Sequence, residues 1–332
     1  MADEEKEKRQ AEMEKLPVVL QLRPVPAIDP VEDRFLNKFR FLKAWESSMP
    51  MDLFLTTHAQ SVRALLCSGG TPITADALRC LPSLQCIVTT SAGLNHIDLA
   101  ECWRKGISIA NAGDSFSEDG ADYAIGLYLD VLRRISAADR YIRQGLWPSK
   151  GDYPLGSRLR GKRVGIVGLG HIGSEVAKKL LAFGCSISYN SRKKKPSIAF
   201  PYYSDVCELA ANSDVLILCC GLTKETHHII NRDVLLALGE KGVIINIGRG
   251  ALIDEKELIE CLMQGKIGGA GLDVFENEPH VPEELRASDN VVLSPHTAVL
   301  TPESFLSLHE LLLANLEAFF SDKPLVSEVK DE

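Results

Sequence analysis

Apolar positions along the chain fall into short runs separated by longer amphipathic stretches. Runs rich in β-branched residues predict strands at 18–22, 64–68, 86–90, 108–111, 163–168, 186–190, 214–220, 243–247 and 291–294. Helical patterns lie between or after them, among others at 73–80, 174–183, 254–265 and 302–320. Near-continuous apolar strands that alternate with helices are typical of parallel sheets covered on both faces. The pattern therefore predicts an α/β fold.

The alternation of strands and helices restarts once, which indicates two domains. A first set ends near residue 112, and a long helical pattern follows at 117–145. A loop rich in Gly, Pro and Ser at 147–162 precedes the second set, which begins at Arg163. The 332 residues also exceed the usual size of one hydrophobic core. We therefore expect two α/β domains of similar size.

Composition narrows the classes of partner and compartment. The net charge of -8 comes without a basic stripe, so no nucleic acid is expected as a partner. The nine cysteines are odd in number and form no CxxC pair, which favours a reducing compartment over a disulfide scaffold or a zinc site. Residues 1–16 are expected to be disordered and resemble no targeting signal, and no apolar run reaches transmembrane length. We therefore expect a cytosolic (cytoplasmic) protein with no membrane partner.

A glycine pattern at the start of the second set predicts a dinucleotide site. Gly168, Gly170 and Gly173 follow a predicted strand and open an amphipathic helix, in the spacing GxGxxG. In this motif the first glycine permits the tight turn, the second lets the backbone approach the pyrophosphate, and the third lets helix and strand pack closely. The helix N-terminus then offers N–H groups and the positive end of its dipole to the phosphates.

The end of the next strand bears on the choice of cofactor. An NAD site usually carries an acidic residue there to bind the ribose 2′-hydroxyl, but this chain has Asn190. Ser191, Arg192 and Lys193 follow and suit a 2′-phosphate. The sequence therefore favours NADPH, with NADH as the weaker alternative. The competing interpretation is that the basic run is only a solvated loop.

Three segments near the end of the second set carry groups suited to catalysis. They contain Arg249, then Asp273 and Glu278, then His296, and each lies at or just after a predicted strand end. Ligands of open α/β sheets bind at such ends. A reductase of 2-oxo acids needs a cation, a proton donor and a group that keeps the donor protonated, which Arg249, His296 and Glu278 can supply.

Four ordered motifs, GLGHIG, NIGRG, GLDVFENEP and SPH, together resemble the D-isomer-specific 2-hydroxyacid dehydrogenase family. The resemblance extends from about residue 17 to 326, and within the family it points to plant cytosolic NADPH-dependent hydroxypyruvate/glyoxylate reductases, hydroxyphenylpyruvate reductases and 2-keto-L-gulonate reductases. It implies two Rossmann-like domains with a cleft between them. The flavodoxin-like substrate-binding domain would comprise 17–116 and 298–332, and the doubly wound coenzyme domain 117–297.

The resemblance also implies residue roles. His296 would be the general acid, Glu278 its carboxylate partner, and Arg249 the cation that binds the substrate carboxylate and carbonyl. The backbone N–H groups of Ala92 and Gly93 would bind the same carboxylate, and Trp147 would reach the active site of the partner subunit of a homodimer. The implied cofactor contacts are Gly168, Leu169, Gly170, His171, Ile172, Gly173, Ser191, Arg192, Lys193, Gly221, Ile247, Gly248, Arg249, Asp273 and His296.

Several alternatives stay open at this level. The family includes a transcriptional corepressor, so a non-catalytic NAD(P)-sensing scaffold competes with the enzyme. The substrate is a small 2-oxo acid, with glyoxylate, hydroxypyruvate, pyruvate, an aromatic pyruvate and a sugar 2-keto acid all possible, and the segment after His296 lacks the family's usual glycines. No metal is expected, because the pair His227 and His228 has no further ligand at a suitable spacing. A homodimer is also expected, because the pattern of the helix at 117–145 predicts more apolar positions than one domain core needs; these are Ile125, Leu127, Leu129, Val131 and Leu132.

Overall fold

The computed structural model describes residues 14–330, so most of the segment 1–16 that was expected to be disordered lies outside the described residues. The chain forms two compact units. Unit 1 contains the residues up to Phe116 and those from Thr301 onward, and unit 2 contains Ser117–Leu300. Within residues 14–330, no helix combines the length and apolarity that a membrane crossing requires.

Strands and helices alternate through both units. The strands are β1 Val18–Gln21, β2 Arg40–Lys43, β3 Ala64–Cys67, β4 Cys86–Thr89, β5 Ser108–Ala110, β6 Arg163–Val167, β7 Ser186–Asn190, β8 Val215–Leu218, β9 Val243–Asn246, β10 Gly269–Leu272, β11 Val291–Leu293 and β12 Glu328–Val329. The α-helices are α1 Glu32–Leu36, α2 Met51–His58, α3 Ala75–Arg79, α4 Leu99–Arg104, α5 Ser117–Arg133, α6 Ile135–Arg143, α7 Trp147–Lys150, α8 His171–Ala182, α9 Val206–Ala211, α10 Arg232–Leu238, α11 Glu255–Met263, α12 Glu283–Ala287 and α13 Pro302–Phe320.

Unit 1 is built on a six-stranded sheet in the order β12-β5-β4-β3-β1-β2. Its strands pair in parallel except for the short β12, which runs antiparallel to β5. Both β3 and β4 are buried along their whole length, as expected for strands covered by helices on both faces. The edge strand β2, RFLK, is partly exposed and has no apolar run, which is why the sequence pattern does not reveal it.

Unit 2 contains a fully parallel sheet in the order β11-β10-β9-β8-β6-β7. The chain starts at β6, moves outward to β7, then returns to β8 on the other side of β6. This reversal of strand order makes a topological switch point, where open α/β sheets bind ligands beyond the carboxyl ends of the strands. The predicted α/β class with two parallel Rossmann-like sheets is confirmed.

Strand β10 was not predicted, because its sequence GAGL lacks the large apolar side chains that mark its neighbours. The small residues are required by packing. A Cβ added to Gly271 would stand 2.8 Å from Ile245 Cδ1 and 3.1 Å from Leu127 Cβ on α5. Helix α5 therefore lies so close to β10 that a side chain at Gly271 does not fit.

The single helix predicted at 117–145 is wrong, because the chain forms two helices there. Helix α5 ends at Arg133, and Arg134 adopts a left-handed backbone with φ of 56° before α6 begins. The Asp130 carboxylate accepts a hydrogen bond from Ser136 N at 2.8 Å and another from the Ser136 hydroxyl, which satisfies a free N–H in the first turn of α6. Apolar periodicity continues on both sides of the break and so conceals it.

The packing of α5 also overturns the argument from which the homodimer was expected. Ile125, Leu127 and Leu132 are buried in the core of unit 2, and Leu129 and Val131 pack against that core. The apolar positions on α5 are therefore used within one chain. Exposed apolar side chains lie instead beyond α5, at Ile135, Ile142 and Trp147.

Candidate active site

The glycine turn has the shape that a pyrophosphate needs. Gly168 follows β6 with φ of 95°, and a Cβ there would stand 2.5 Å from Cys220 N. A Cβ on Gly173 would stand 2.2 Å from Gly168 O, whereas the space beside Gly170 is open for at least 4 Å. The side chain of Leu169 is buried in the core, so this residue presents only its main chain to a ligand. The turn and the N-terminus of α8 therefore fit a dinucleotide.

The end of β7 carries an amide where an NAD site usually has a carboxylate. Asn190 is buried, and its Nδ2 donates to Tyr203 O at 2.9 Å and to Ser204 O at 3.1 Å. The Ser191 hydroxyl donates to Lys193 O at 2.7 Å and shapes the following turn. Arg192 and Lys193 are exposed. This edge thus presents positive charge with no carboxylate at the strand end to repel a phosphate.

Arg249 stands at the carboxyl end of β9 in a segment that a buried amide holds in place. Asn246 Oδ1 accepts from Gly248 N at 3.0 Å, and its Nδ2 donates to Arg249 O at 2.9 Å. The guanidinium donates from Nη1 to Gly248 O at 2.7 Å. Burial lowers the pKa of Arg249, and the charge of Glu278 opposes that shift. A half-buried guanidinium near a carboxylate is suited to bind a second anion.

Glu278 and His296 form a hydrogen-bonded pair. The distance from His296 Nδ1 to Glu278 Oε2 is 2.8 Å, and Glu278 Oε1 accepts from Phe275 N at 3.0 Å. Burial alone would raise the pKa of Glu278, but the hydrogen bonds from His296 and Phe275 and the charges of His296 and Arg249 lower it below its ordinary value. Glu278 is therefore ionised at neutral pH, with its negative charge against the imidazole. The side chain of His296 is 45% exposed, so substrate can reach it.

The loop that carries His296 is organised by Asp273, which is 1% exposed. Asp273 Oδ1 accepts from Ser294 Oγ at 2.7 Å and from Thr297 N at 2.8 Å, and Oδ2 accepts from Ala298 N at 2.9 Å. Its main-chain oxygen accepts from His296 N at 2.7 Å, where His296 adopts a φ of 55°. Asp273 thus positions the histidine, and its contact with the nicotinamide stays a prediction.

In unit 1, the loop after β4 presents free amides. Ala92 and Gly93 donate no hydrogen bond from their backbone N–H groups to any of residues 14–330. The loop is held from behind, because Asn111 Nδ2 donates to Ala92 O at 2.9 Å and Ala112 N donates to Ser91 O at 3.1 Å. Paired main-chain N–H groups of this kind suit a carboxylate.

The sequence interpretation overlooked Asn111 and Asn246, two amides that hold the predicted ligand-binding loops in place. Both follow or end a short apolar run, and Asn246 is fully buried. A buried amide at a strand end was the available signal, because it must find partners in the adjacent loop. Of the remaining predicted residues, Gly221 after β8 and His171 at the start of α8 are exposed, and Gly248 and Ile172 are partly buried. Ile247 after β9 is buried in the core of unit 2.

A dinucleotide turn, an arginine and a histidine–carboxylate pair beyond the carboxyl ends of one parallel sheet define a nicotinamide-dependent dehydrogenase. Residues 125–298 match the family model described as D-isomer specific 2-hydroxyacid dehydrogenase, NAD binding domain. The chain belongs to this family of oxidoreductases.

Curated relatives and solved structures agree with the family. The chain is 57% identical to a glyoxylate/hydroxypyruvate reductase of Arabidopsis thaliana, covering 96% of this chain and 99% of that relative. It is 48% identical to a hydroxyphenylpyruvate reductase of Plectranthus scutellarioides, covering 90% and 95%. The structure of an NADPH-dependent glyoxylate/hydroxypyruvate reductase from Sinorhizobium meliloti with NADP and malonate superposes with a TM-score of 0.85 at 35% identity, covering 94% of this chain and 96% of that one.

The pair of Glu278 and His296 predicts a pH effect. A glutamine at 278 can offer its one oxygen to His296 or to Phe275 N, so one of the two hydrogen bonds is lost, together with the negative charge. We expect Glu278→Gln to shift the alkaline limb of the pH profile for reduction to lower pH by about one unit, since one unit corresponds to roughly 1.4 kcal/mol of lost charge interaction. The measurement is kcat across pH 5 to 10, and an unchanged alkaline limb would contradict the pairing.

Proposed function

We propose that this protein reduces a small 2-oxo acid of the glyoxylate and hydroxypyruvate type to the (R)-2-hydroxy acid with NADPH. The observation that carries the proposal is the His296–Glu278 hydrogen bond of 2.8 Å at the carboxyl end of the parallel sheet that bears the glycine turn. The names of the relatives, glyoxylate/hydroxypyruvate reductases among them, support the same substrate class.

In this proposal each side chain has one task. NADPH, when bound at the glycine turn, supplies the hydride for the carbonyl carbon. His296 donates a proton to the carbonyl oxygen from Nε2, while its Nδ1 stays hydrogen-bonded to Glu278. Arg249 binds the substrate carboxylate and withdraws charge from the carbonyl. The amides of Ala92 and Gly93 offer donors to a carboxylate. One hydride on the carbonyl carbon and one proton on the carbonyl oxygen convert the aldehyde or ketone to the alcohol.

The proposed preference for NADPH rests on the end of β7. Asn190 brings no negative charge, and Ser191, Arg192 and Lys193 follow it. A 2′-phosphate there meets two cations, and the Ser191 hydroxyl would donate to it by releasing Lys193 O. The 2′-hydroxyl of NADH finds no carboxylate to accept its hydrogen bond. The S. meliloti relative, which is described as an NADPH-dependent reductase, supports this assignment.

Reduction of an aromatic pyruvate is the second candidate. The apolar Leu300 lies four residues after His296 and is 52% exposed, and the P. scutellarioides relative carries the name hydroxyphenylpyruvate reductase. A panel of glyoxylate, hydroxypyruvate and 4-hydroxyphenylpyruvate, followed through NADPH absorbance, separates the two candidates by kcat/KM. The same panel tests the alternative of a non-catalytic NAD(P)-sensing scaffold, which would give no turnover with any of the three.

We also propose that the protein is cytosolic. We further propose that it forms a homodimer, on the basis of exposed side chains beyond α5. Ile135 and Ile142 on α6 are 56% and 52% exposed, and Trp147 is 59% exposed. Apolar side chains so close together in sequence and so exposed are typical of a protein interface. A two-fold dimer through this region would cover them and carry Trp147 toward the partner's active site.

The dimer makes a specific prediction. Light scattering on the purified protein is expected to give twice the 36.4 kDa mass of the chain. Ile142→Asp, which places a charge in the interface, is expected to shift the mass toward one chain, whereas Met263→Asp, at a still more exposed apolar position on α11, should not. A fully active protein with the mass of one chain would refute the proposal.

A further inference from the structure

Two consecutive histidines after β8 meet a glutamate that is distant in sequence. His227 and His228 stack with ring centroids 3.9 Å apart and an angle of 28° between their planes. Consecutive side chains usually diverge, but His228 has a left-handed φ of 52°, which brings the two rings to one side. The distance from His228 Nε2 to Glu276 Oε1 is 2.5 Å. One ligand-capable atom from each of the three residues lies within 4.8 Å of the others.

The backbone at this place is fixed, which makes the cluster a preformed arrangement. His227 N donates to Thr223 O at 3.0 Å, and His228 N donates to Ala251 O at 2.9 Å. On the other side, Glu276 N donates to Glu255 Oε2 at 3.2 Å. The two histidines and the glutamate thus approach one another from two separately anchored loops of unit 2.

The chemistry of the donors selects one class of ligand. Two imidazoles and one carboxylate are a common protein donor set for Zn²⁺ and related d-block cations, which leave a fourth position to water. Mg²⁺ and Ca²⁺ prefer oxygen donors and are disfavoured by two nitrogens. Bonds of about 2.0–2.2 Å require the three atoms to lie roughly 3.3 Å apart. The exposed His227 side chain would therefore rotate inward, and His228 Nε2 and Glu276 Oε1, which are 2.5 Å apart, would separate to admit the cation.

The surroundings add the support that a histidine ligand usually has. Asp254 Oδ2 lies 3.7 Å from His228 Nδ1, on the ring edge away from Glu276. A carboxylate at the second nitrogen of a ligating imidazole fixes its tautomer and increases its basicity. With neutral imidazoles, Asp254 and Glu276 also leave the cluster negatively charged, which favours a divalent cation.

We propose that His227, His228 and Glu276 bind one divalent d-block cation such as Zn²⁺, with Asp254 orienting His228. The cluster shares no residue with the His296–Glu278 pair, although Glu276 lies two residues before Glu278, and the proposal does not depend on the proposed reaction. The spacing of residues in the sequence does not reveal it, because Glu276 follows His228 by 48 residues.

The test is calorimetric titration of the full-length protein, untagged, reduced and free of added metal, with ZnCl₂. We expect one Zn²⁺ per chain at this site, with an affinity that His227→Ala and Glu276→Gln each reduce at least tenfold, since even losing a group that only supports a ligand costs ten- to a hundredfold. His227 is exposed, so its substitution leaves folding intact. His58→Ala, which removes another exposed imidazole, is the matched control and should bind as the wild type does.

Co²⁺ provides an independent readout that excludes the cysteines. Its visible spectrum should show nitrogen and oxygen ligation with no sulfur-to-cobalt charge-transfer band, and His227→Ala should abolish that spectrum. Millimolar Mg²⁺ should not compete. Equal Zn²⁺ affinity in the wild type, His227→Ala and Glu276→Gln, a thiolate band with Co²⁺, or no binding up to millimolar Zn²⁺ would each overturn the proposal.

Discussion

His296→Ala is expected to lower kcat for 2-oxo acid reduction by two to four orders of magnitude, the usual contribution of a positioned general acid. Without the imidazole, the carbonyl oxygen must take its proton from water. The NADPH dissociation constant should change little, because the glycine turn and Arg192 are untouched. The measurements are steady-state kcat with hydroxypyruvate and NADPH binding by fluorescence.

His296→Asn is the matched variant for this experiment. His296 adopts a φ of 55°, which strains an alanine but is tolerated by asparagine. His296→Asn therefore removes the proton donor without the backbone strain, and both variants should lose turnover to a similar extent. Turnover near the wild-type level in His296→Asn would exclude His296 as the acid.

Arg192→Ala is expected to raise the Michaelis constant for NADPH by roughly ten- to a hundredfold. A charge-assisted contact between arginine and a phosphate contributes about 1.5–3 kcal/mol, which corresponds to that range in affinity. The constant for NADH should stay nearly unchanged, because NADH has no 2′-phosphate. The measurement is the ratio of kcat/KM for NADPH and NADH at fixed ionic strength.

Lys194→Ala is the control for this prediction, since Lys194 is an exposed cation of the same run. A flexible ammonium screened by salt should contribute much less than Arg192. If Arg192→Ala weakens both cofactors equally, or if the wild type prefers NADH, the basic run is only a solvated loop.

The structure also shows which reverse substitution is unsuitable. Asn190→Asp would seem the natural way to introduce a partner for the 2′-hydroxyl of NADH. The Asn190 amide, however, donates to two main-chain oxygens, Tyr203 O and Ser204 O. A carboxylate there loses both hydrogen bonds and faces two acceptors, so the variant is expected to lose stability along with any change in cofactor preference.

Much of the fold follows from local sequence pattern. The nine predicted strands form within one or two residues of the expected positions, because buried parallel strands need unbroken apolar runs. Strand β10 was not predicted, because its glycines are required by the close approach of α5, and this tertiary contact cannot be read from the local sequence. The break between the two helices at Arg134 was not predicted either. Asp130 and Ser136 stabilise this break, but neither residue interrupts the helical spacing of the apolar positions.

Sequence motifs identify the residues of the candidate site, but they do not predict the contacts between those residues. Arg249, Glu278 and His296 each follow the end of a strand by three to six residues. A parallel sheet brings the carboxyl ends of those strands to one edge. Asp273 accepts hydrogen bonds from the loop that carries His296. These bonds could not be deduced from the sequence, because they depend on how that loop turns. The contact between His228 and Glu276 is likewise set only by the folding of two distant loops.

The most direct test of the account is chiral analysis of the product formed from hydroxypyruvate and NADPH. The protein should yield (R)-glycerate alone, with one molecule formed for each NADPH lost at 340 nm. Formation of (S)-glycerate, a racemic product, or no product with this or any other small 2-oxo acid would contradict it.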